Sequence, residues 1–251
     1  MKQAIKELLL KMADDALIIG HRHSEWTGLG PILEEDIALS SMSQDKIGHA
    51  QALYTILHEE LSEAEPDTLA FHREEKDFKC CHLVEFPIGE YDFTLARQFL
   101  FDHAELLRYE LLASSSFAPL ARLSKKIHGE LKYHVLHANA WMKRLARGTD
   151  ESHARMQSAV NFAYPVALGI FEEGPFEKEL MEQRIFPGEK FLRRMWEENA
   201  GELLDQSQIH IPRNADATIG IGGRNGYHTE YLSPLLNEMT QVYRMEEGVE
   251  W

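Results

Sequence analysis

The chain has 251 residues and a formal net charge of −15, from 41 acidic residues against 26 lysines and arginines. Such a charge repels phosphate backbones and therefore excludes general nucleic-acid binding. No apolar run reaches the roughly 20 residues that span a membrane, and acids follow the N-terminus too soon for a secretory signal. Cys80 and Cys81, the only cysteines, are adjacent, which excludes a disulfide framework and lacks the spacing of zinc motifs. We therefore expect a soluble, cytoplasmic protein.

Helical periodicity runs through most of the chain, and no segment shows the sustained two-residue alternation of a strand. Glycines and a proline at 28–31 separate the first two helices. The next connection, from Ser62 to Phe93, is longer than loops in helix bundles usually are. We expect helices over residues 5–24, 33–61, 94–115, 118–146, 150–170, 189–206 and 229–245.

The first four helices look like two related hairpins. Each hairpin ends in a helix that carries an acid four residues before a histidine, in DKIGH and in ELKYH. Two helix hairpins joined by a long crossover are typical of the ferritin-like four-helix bundle. We therefore predict an all-α protein with one ferritin-like domain over 1–251, in which residues 5–146 form the core bundle and residues 150–251 add outer helices.

Acids and histidines interrupt the apolar stripes of the second, third and fourth helices. An unpaired charge in such a position costs several kcal/mol, so each must be paired, hydrogen-bonded or bound to metal. One interpretation is that the acid and histidine of each helix form an ion pair four residues apart at a partly solvated edge. The other is a polar seam that descends from a metal site. Its members are Asp45, Lys46, His49, Asp102, Glu105, Glu130 and His134.

A di-iron centre in this fold takes Glu from two helices and Glu-x-x-His from the other two. Three residues before His49 stands Lys46, and three before His134 stands Leu131. A protonated lysine offers no lone pair and opposes a cation, and leucine offers no ligand. We therefore predict no metal and no catalytic residue in this chain. The alternative is an autonomous di-metal oxidase or oxygenase that uses the acids and histidines of the seam.

Several segments closely resemble one family of proteins. They include DDALIIGHRHSEWTGLGPILEEDIALSSMSQDKIGHAQALY, LVEFPIGEYDFTLARQFLFD, ELKYHVLHANAWMKRLARGTDESHARMQ, and the closing GGRNGYHTEYLSPLLNEMTQVYR and EW. In these segments the chain resembles the structural C subunits of bacterial phenylacetyl-CoA 1,2-epoxidases, over nearly its whole length and most loosely over residues 171–210. The resemblance implies a structural subunit, not catalytic by itself, of a multicomponent monooxygenase for aerobic phenylacetate degradation.

The same resemblance implies partners and their cofactors. A catalytic A subunit, a ferritin-like paralogue with the di-iron centre, would pair with this chain. A small B subunit and an NADPH-dependent reductase with FAD and an iron–sulfur centre would complete the system. No cofactor is expected in this chain, and isolated chains would form homodimers or bind the A subunit. Many C subunits carry Gln where this chain has His49, so weak residual metal binding there stays an alternative.

An acyl-CoA is polyanionic and would need a local basic cluster in this acidic chain. HREEKDFKCC in the crossover and EKELMEQRIFPGEK further on offer such clusters. The alternative is a pair of solvated loops with mixed charges. The predicted acyl-CoA contacts are Arg73, Lys76, Asp77, Phe78, Lys79, Cys80, Lys178, Glu179 and Leu180.

Overall fold

The computed structural model describes residues 1–213 and 215–245, and within these ranges all regular structure is helical. This confirms the predicted all-α class. None of the described helices is long and apolar enough to cross a lipid bilayer. Glu250 and Trp251, which close the resembling segments, lie outside the described residues. The α-helices are α1 (Lys2–Ser24), α2 (Leu33–Leu61), α3 (Pro66–Phe71), α4 (His82–Glu85), α5 (Tyr91–Leu112), α6 (Ala118–Ala146), α7 (Asp150–Ala167), α8 (Glu177–Glu182), α9 (Glu189–Gln206) and α10 (Leu232–Met245).

Four long helices form a bundle of two hairpins. α1 packs along α2, and α5 packs along α6, with their apolar faces turned inward. The shared core contains side chains from all four helices, such as Leu8, Leu53, Phe99 and Leu131. The long crossover over residues 62–90 connects the hairpins, so the topology is the ferritin-like form of a four-helix bundle.

The turn between α1 and α2 is fixed by glycines and by a tryptophan. Gly28 has a φ of 82°, in the left-handed region that favours glycine. A Cβ at Gly30 would lie 2.7 Å from the backbone nitrogen of Asp36, so a larger residue does not fit there. Trp26 is 8% exposed and donates from Nε1 to Thr94 Oγ1 at 2.9 Å. The tip of the first hairpin is therefore tied to the beginning of α5.

The crossover contains two short helices that the sequence pattern does not predict. α3 has 6 residues and α4 has 4, which is too short for a helical period to show. Two buried acids of α1 anchor this segment. Asp14 Oδ2 accepts the Lys79 amide at 2.7 Å and Asp14 pairs with Arg73, while Asp15 Oδ1 accepts the Cys81 amide at 2.8 Å. α1 therefore holds the crossover through charges as well as through apolar contacts.

Asp15 also anchors the loop that precedes α10. Arg224 donates from Nη1 to Asp15 Oδ1 at 2.8 Å and from Nη2 to Asp15 Oδ2 at 2.7 Å. Both side chains of this two-point ion pair are buried. A Cβ at Gly223 would lie only 2.1 Å from the carbonyl oxygen of Cys80. The last loop therefore closes tightly over the crossover.

The later helices pack outside the bundle. α7 and α9 both contact α5. Trp196 of α9 is fully buried and donates from Nε1 to the Leu100 carbonyl at 2.9 Å. Glu189, at the start of α9, is buried between Lys11 and Arg108. A buried ion-pair network and an aromatic anchor therefore attach these helices to the two hairpins.

Most predicted helix bounds lie close to the observed ones. The helix predicted over 94–115 is α5, shifted three residues toward the N-terminus. The helix predicted over 150–170 ends at Ala167, where a 3₁₀ turn over Leu168–Phe171 continues the chain. α10 begins at Leu232 instead of residue 229, and the six-residue α8 is an addition.

Candidate functional site

A lysine lies at the centre of the predicted polar seam. Lys46 of α2 is completely buried, and its Nζ donates to Asp102 Oδ1 at 2.7 Å and also to Glu105. Both acids belong to α5 and lie one helical turn apart, so they face the same ammonium group. Burial opposes the charge of Lys46, but the two carboxylates outweigh it and raise the pKa above its usual value. The seam therefore contains a charged ammonium group between two carboxyl groups.

The two acids around Lys46 differ in their proton affinity. Burial works against ionisation of Asp102, but the adjacent ammonium outweighs it and lowers the Asp102 pKa. Burial has the larger effect on Glu105 and raises its pKa. One ammonium group facing two acids compensates one negative charge fully, so Asp102 is the ionised partner that Lys46 stabilises most.

The histidines of the seam pair across helices. His49 Nε2 lies 2.8 Å from Glu130 Oε2, and His134 Nε2 lies 3.0 Å from Asp45 Oδ2. The interpretation of two ion pairs within single helices is therefore wrong. α2 and α6 are antiparallel neighbours, so the acid of each helix comes to lie opposite the histidine of the other. These two pairs join α2 to α6.

The imidazole rings of the two pairs stack at the junction. The ring centroids of His49 and His134 are 6.4 Å apart, with an angle of 22° between the planes. Burial, together with the charges of Lys46 and His134, lowers the pKa of His49 to about 3. The hydrogen bond with His134 lowers the pKa of Asp45. His49 is therefore neutral at physiological pH and donates its Nε2 proton to Glu130.

A groove of about 610 Å³ opens between α2 and α6 and reaches these pairs. His49 and Glu130 line it, and a Cβ at Gly48 on its rim would meet no atom within 4 Å. Asp45 and Glu130 are partly exposed, whereas Lys46 is sealed beneath them. Solvent therefore reaches the histidine–acid pairs but not the lysine.

The seam does not fit a di-iron centre. A cation bound by Asp102 and Glu105 would meet the Lys46 ammonium at bonding distance, and like charges that close repel strongly. Leu131 is fully buried and presents a hydrocarbon side chain where the second Glu-x-x-His would need a carboxylate. The residues present support ion pairing between helices, and no oxygen chemistry follows from them.

His23 belongs to the seam although the sequence analysis did not select it. It lies near the end of α1, is fully buried, and neither ring nitrogen has a hydrogen-bond partner among the described residues. Burial, followed by the charge of Arg97, lowers its pKa well below the usual value. His23 follows the buried Ala16 and Ile19 at steps of three and four residues, and this helical spacing could have identified it as a buried residue.

Glu35 is a second buried polar residue that the sequence pattern did not identify. It accepts hydrogen bonds from Trp141 Nε1 at 2.6 Å, from His137 Nε2 at 2.8 Å and from the Tyr91 hydroxyl. Glu35 therefore links the start of α2 to α5 and α6. Acids are common in the first turn of a helix, where they are usually solvated. Glu35 differs from the neighbouring acids only in that it lies four residues before the buried Leu39, on the same face of the helix.

Four of the predicted acyl-CoA contacts instead make contacts within the protein. Arg73 pairs with Asp14, and its guanidinium carbon lies 4.1 Å from the centre of the Phe78 ring. Phe78, Cys80 and Leu180 are buried. These side chains stabilise the crossover and α8; the three apolar ones are not available at the surface, and Arg73 is partly exposed but already paired.

The other predicted acyl-CoA contacts are at least partly exposed. The crossover and α8 meet around a narrow cavity of about 20 Å³, which Lys79 and Leu180 both line. One residue from each of the two predicted clusters thus lines the same cavity. The exposed or partly exposed contacts are Lys76, Asp77, Lys79, Lys178 and Glu179.

Comparison with known proteins agrees with the resemblance seen in the sequence. The family described as phenylacetic acid catabolic protein matches residues 1–251. One relative is the C subunit of the 1,2-phenylacetyl-CoA epoxidase of Escherichia coli (strain K12). It is 33% identical over 242 residues, which cover 96% of this chain and 97% of the relative. The chain belongs to the family of phenylacetic acid catabolic proteins.

Proposed function

We propose that this chain is the non-catalytic structural subunit of a phenylacetyl-CoA epoxidase complex. Membership of the family and the likeness to a protein named as the C subunit of such an enzyme support this role. The complex would act in aerobic phenylacetate degradation in the cytoplasm. The alternative, an autonomous di-metal oxidase, requires ligands that the seam does not offer.

The position of Lys46 carries the proposal. Its ammonium group binds the two α5 carboxyl groups that would otherwise be free to coordinate a metal ion. The resulting ion pairs connect α2 with α5, and the histidine–acid pairs connect α2 with α6. Interhelical bonds of this kind stabilise one arrangement of the bundle, which suits a subunit that supports a partner.

The partner in this proposal is the catalytic A subunit, which carries the di-iron centre. A small B subunit would complete the complex, and a reductase with NADPH, FAD and an iron–sulfur centre would supply electrons. Isolated chains would either form homodimers or stay ready to pair with the A subunit. The relative's name as a subunit supports a multi-subunit complex, and the individual partners are what the family resemblance implies.

We also propose that the chain contacts the acyl-CoA substrate of the complex at the crossover and α8. Lys76 and Lys178 are exposed, and Lys79 is partly exposed. Lys79 lies 3.9 Å from Glu7 and Lys178 lies 3.7 Å from Glu182, so a phosphate would compete only with loose ion pairs at these two ammonium groups. The charge of Arg73 is compensated by Asp14 and would add little. The accessible lysines are therefore the groups that a CoA phosphate would meet.

Purification of the chain alone and after co-expression with the A subunit tests the structural role. We expect co-purification with A, and phenylacetyl-CoA oxidation that requires the A subunit. After loading with ferrous iron, elemental analysis of the isolated chain should find no pair of irons. Repeated failure to recover the A subunit would contradict the structural pairing.

The same preparation distinguishes the alternative function. Two irons per chain, together with oxidation of phenylacetyl-CoA by the isolated chain supplied with oxygen and electrons, would establish an autonomous oxidase. A Leu131→Ala variant provides a matched control, because it changes the seam without adding a ligand. Its iron content should equal that of the unmodified chain.

A further inference from the structure

Outside the polar seam, three metal-ligating side chains from distant parts of the sequence converge. Cys80 Sγ, Glu85 Oε1 and His228 Nδ1 all lie within 4.8 Å of one another. The three side chains are fully buried. Cys80 and Glu85 lie in the crossover and α4, and His228 lies in the loop before α10. The cluster therefore joins two distant segments of the chain, since Glu85 and His228 are 143 residues apart in the sequence.

Neighbouring groups orient the ligand atoms inward. His228 Nε2 lies 3.1 Å from the Phe78 carbonyl oxygen, so it donates its proton there and turns Nδ1 toward Glu85 and Cys80. Glu85 Oε2 accepts from the Thr229 amide at 2.7 Å and from its hydroxyl at 2.6 Å, which leaves Oε1 for the cluster. A backbone carbonyl behind a ligating histidine is the usual arrangement in protein metal sites.

We propose that Cys80 Sγ, Glu85 Oε1 and His228 Nδ1 bind one Zn²⁺ ion, with water as the fourth ligand. Sγ lies 3.6 Å from Glu85 Oε1 and 3.9 Å from His228 Nδ1. Tetrahedral zinc, with bonds of about 2.3 Å to sulfur and about 2.0 Å to nitrogen or oxygen, separates a sulfur from a nitrogen or oxygen ligand by about 3.6 Å, and a nitrogen from an oxygen ligand by about 3.3 Å. Nδ1 and Oε1 lie 2.7 Å apart and would have to separate by about 0.6 Å.

The exchange of protons for zinc leaves the buried charge unchanged. Without metal, one proton lies between His228 Nδ1 and Glu85 Oε1, because two lone pairs would otherwise face each other at 2.7 Å. The Cys80 thiol holds a second proton, since burial and the nearby Glu85 raise its pKa well above the usual range. Zn²⁺ binding forms three bonds to the protein and releases both protons. The cluster is neutral before and after, so a sealed interior can accept the ion.

A zinc ion here would clip the last loop onto the crossover. The two segments already pack closely, with Gly223 against the Cys80 carbonyl. Both segments also contact α1 at Asp15, which pairs with Arg224 of the last loop and accepts the Cys81 amide of the crossover. The ion would therefore stabilise the packing of these two segments, independently of the role of the chain in an epoxidase.

Titration of the metal-free, full-length chain with Co²⁺ tests the site, because cobalt reports thiolate ligation by a charge-transfer band in the near ultraviolet. We expect the band to saturate at one equivalent and to disappear when Zn²⁺ is added. Cys80→Ser should abolish the band and weaken zinc binding at least tenfold. Cys81→Ser is the matched control, since Cys81 is equally buried but lies outside the cluster, and it should keep both.

A second measurement does not depend on how the variants fold. X-ray absorption at the zinc edge of the unmodified protein, loaded with one equivalent, should show one sulfur among nitrogen and oxygen neighbours. A zinc shell with no sulfur or with two sulfurs would overturn the proposal. So would a cobalt titration without the charge-transfer band, or a band that survives in a folded Cys80→Ser protein.

Discussion

Lys46 Nζ lies 2.7 Å from Asp102 Oδ1 at the centre of the bundle, and neither side chain is exposed to solvent. An isolated charge at this depth would be unfavourable, so the lysine and the acids of α5 depend on each other. The Lys46 ammonium therefore compensates carboxylate charge that would be unfavourable in the core by itself.

Replacement of Lys46 by Met should destabilise the protein strongly. Methionine has a similar volume but leaves Asp102 and Glu105 without their cation, which costs about 3–5 kcal/mol for a broken buried ion pair. Urea unfolding of the variant and of the unmodified protein measures the difference. Lys125→Met, at an exposed site of α6, is the control and should change stability little. A loss below about 1 kcal/mol for Lys46→Met would contradict the assigned ion pair.

The double change Lys46→Glu and Leu131→Glu should create iron affinity in the seam. It removes the opposing ammonium and restores Glu-x-x-His on both α2 and α6, ahead of His49 and His134. We expect lower stability without metal and a rise in melting temperature with ferrous iron. Elemental analysis should find more iron than in the unmodified chain. The Lys46→Gln and Leu131→Gln pair is the control; equal iron content in both double variants would refute this prediction.

Stability should fall as the pH decreases below the normal histidine range, and His49 should account for part of the fall. The pKa of His49 is about 3 in the folded protein, against 6.5 for an unperturbed histidine. The unfolded chain therefore binds a proton at a pH where the folded chain does not. The folded protein therefore has its full stability above about pH 6.5, and its free energy of unfolding decreases as the pH falls from 6.5 toward 3.

Chemical unfolding at two pH values measures this contribution. Between pH 7 and pH 5, the unmodified protein should lose about 2 kcal/mol more than His49→Gln does. His210→Gln, at an exposed position, should follow the unmodified protein. Parallel pH profiles for His49→Gln and the unmodified protein would show that His49 is not held neutral by the fold.

Lys79→Glu should weaken acyl-CoA binding by the assembled complex. Exposed charges contribute little individually, so we expect a loss of about 1 kcal/mol, or roughly fivefold in dissociation constant. Binding of a non-reacting acyl-CoA to the complex provides the measurement at low salt. Lys143→Glu, on the exposed side of α6, changes the net charge equally and should leave binding unchanged. Identical dissociation constants for the two variants would remove Lys79 from the contact.

The long helices could be predicted from the sequence because their signals are local. Apolar residues every three to four positions define them, and the turn glycines fix the observed beginning of α2 at Leu33. α5 is shifted because its N-terminal Tyr91 packs against Trp26, a contact with the turn after α1. Short elements such as α3 and α4 form under tertiary contacts and leave no periodic pattern.

The partners within the seam could be predicted only in part. Periodicity identified that His49 and His134 lie on inward faces, and both are buried. Periodicity carries no information on how one helix is rotated against another, and this rotation decides that His49 pairs with Glu130. The cluster of Cys80, Glu85 and His228 could not be predicted for the same reason, because its members come together only when the crossover folds.

The ion pair between Asp15 and Arg224 has a consequence for biosynthesis. Asp15 emerges from the ribosome early, and its guanidinium partner follows more than two hundred residues later. Until then, the carboxylate cannot enter the interior in its charged form without a large penalty. The first helix must therefore keep that face hydrated or shielded during translation, and the native packing of the N-terminal hairpin is completed only after residue 224 has been synthesised.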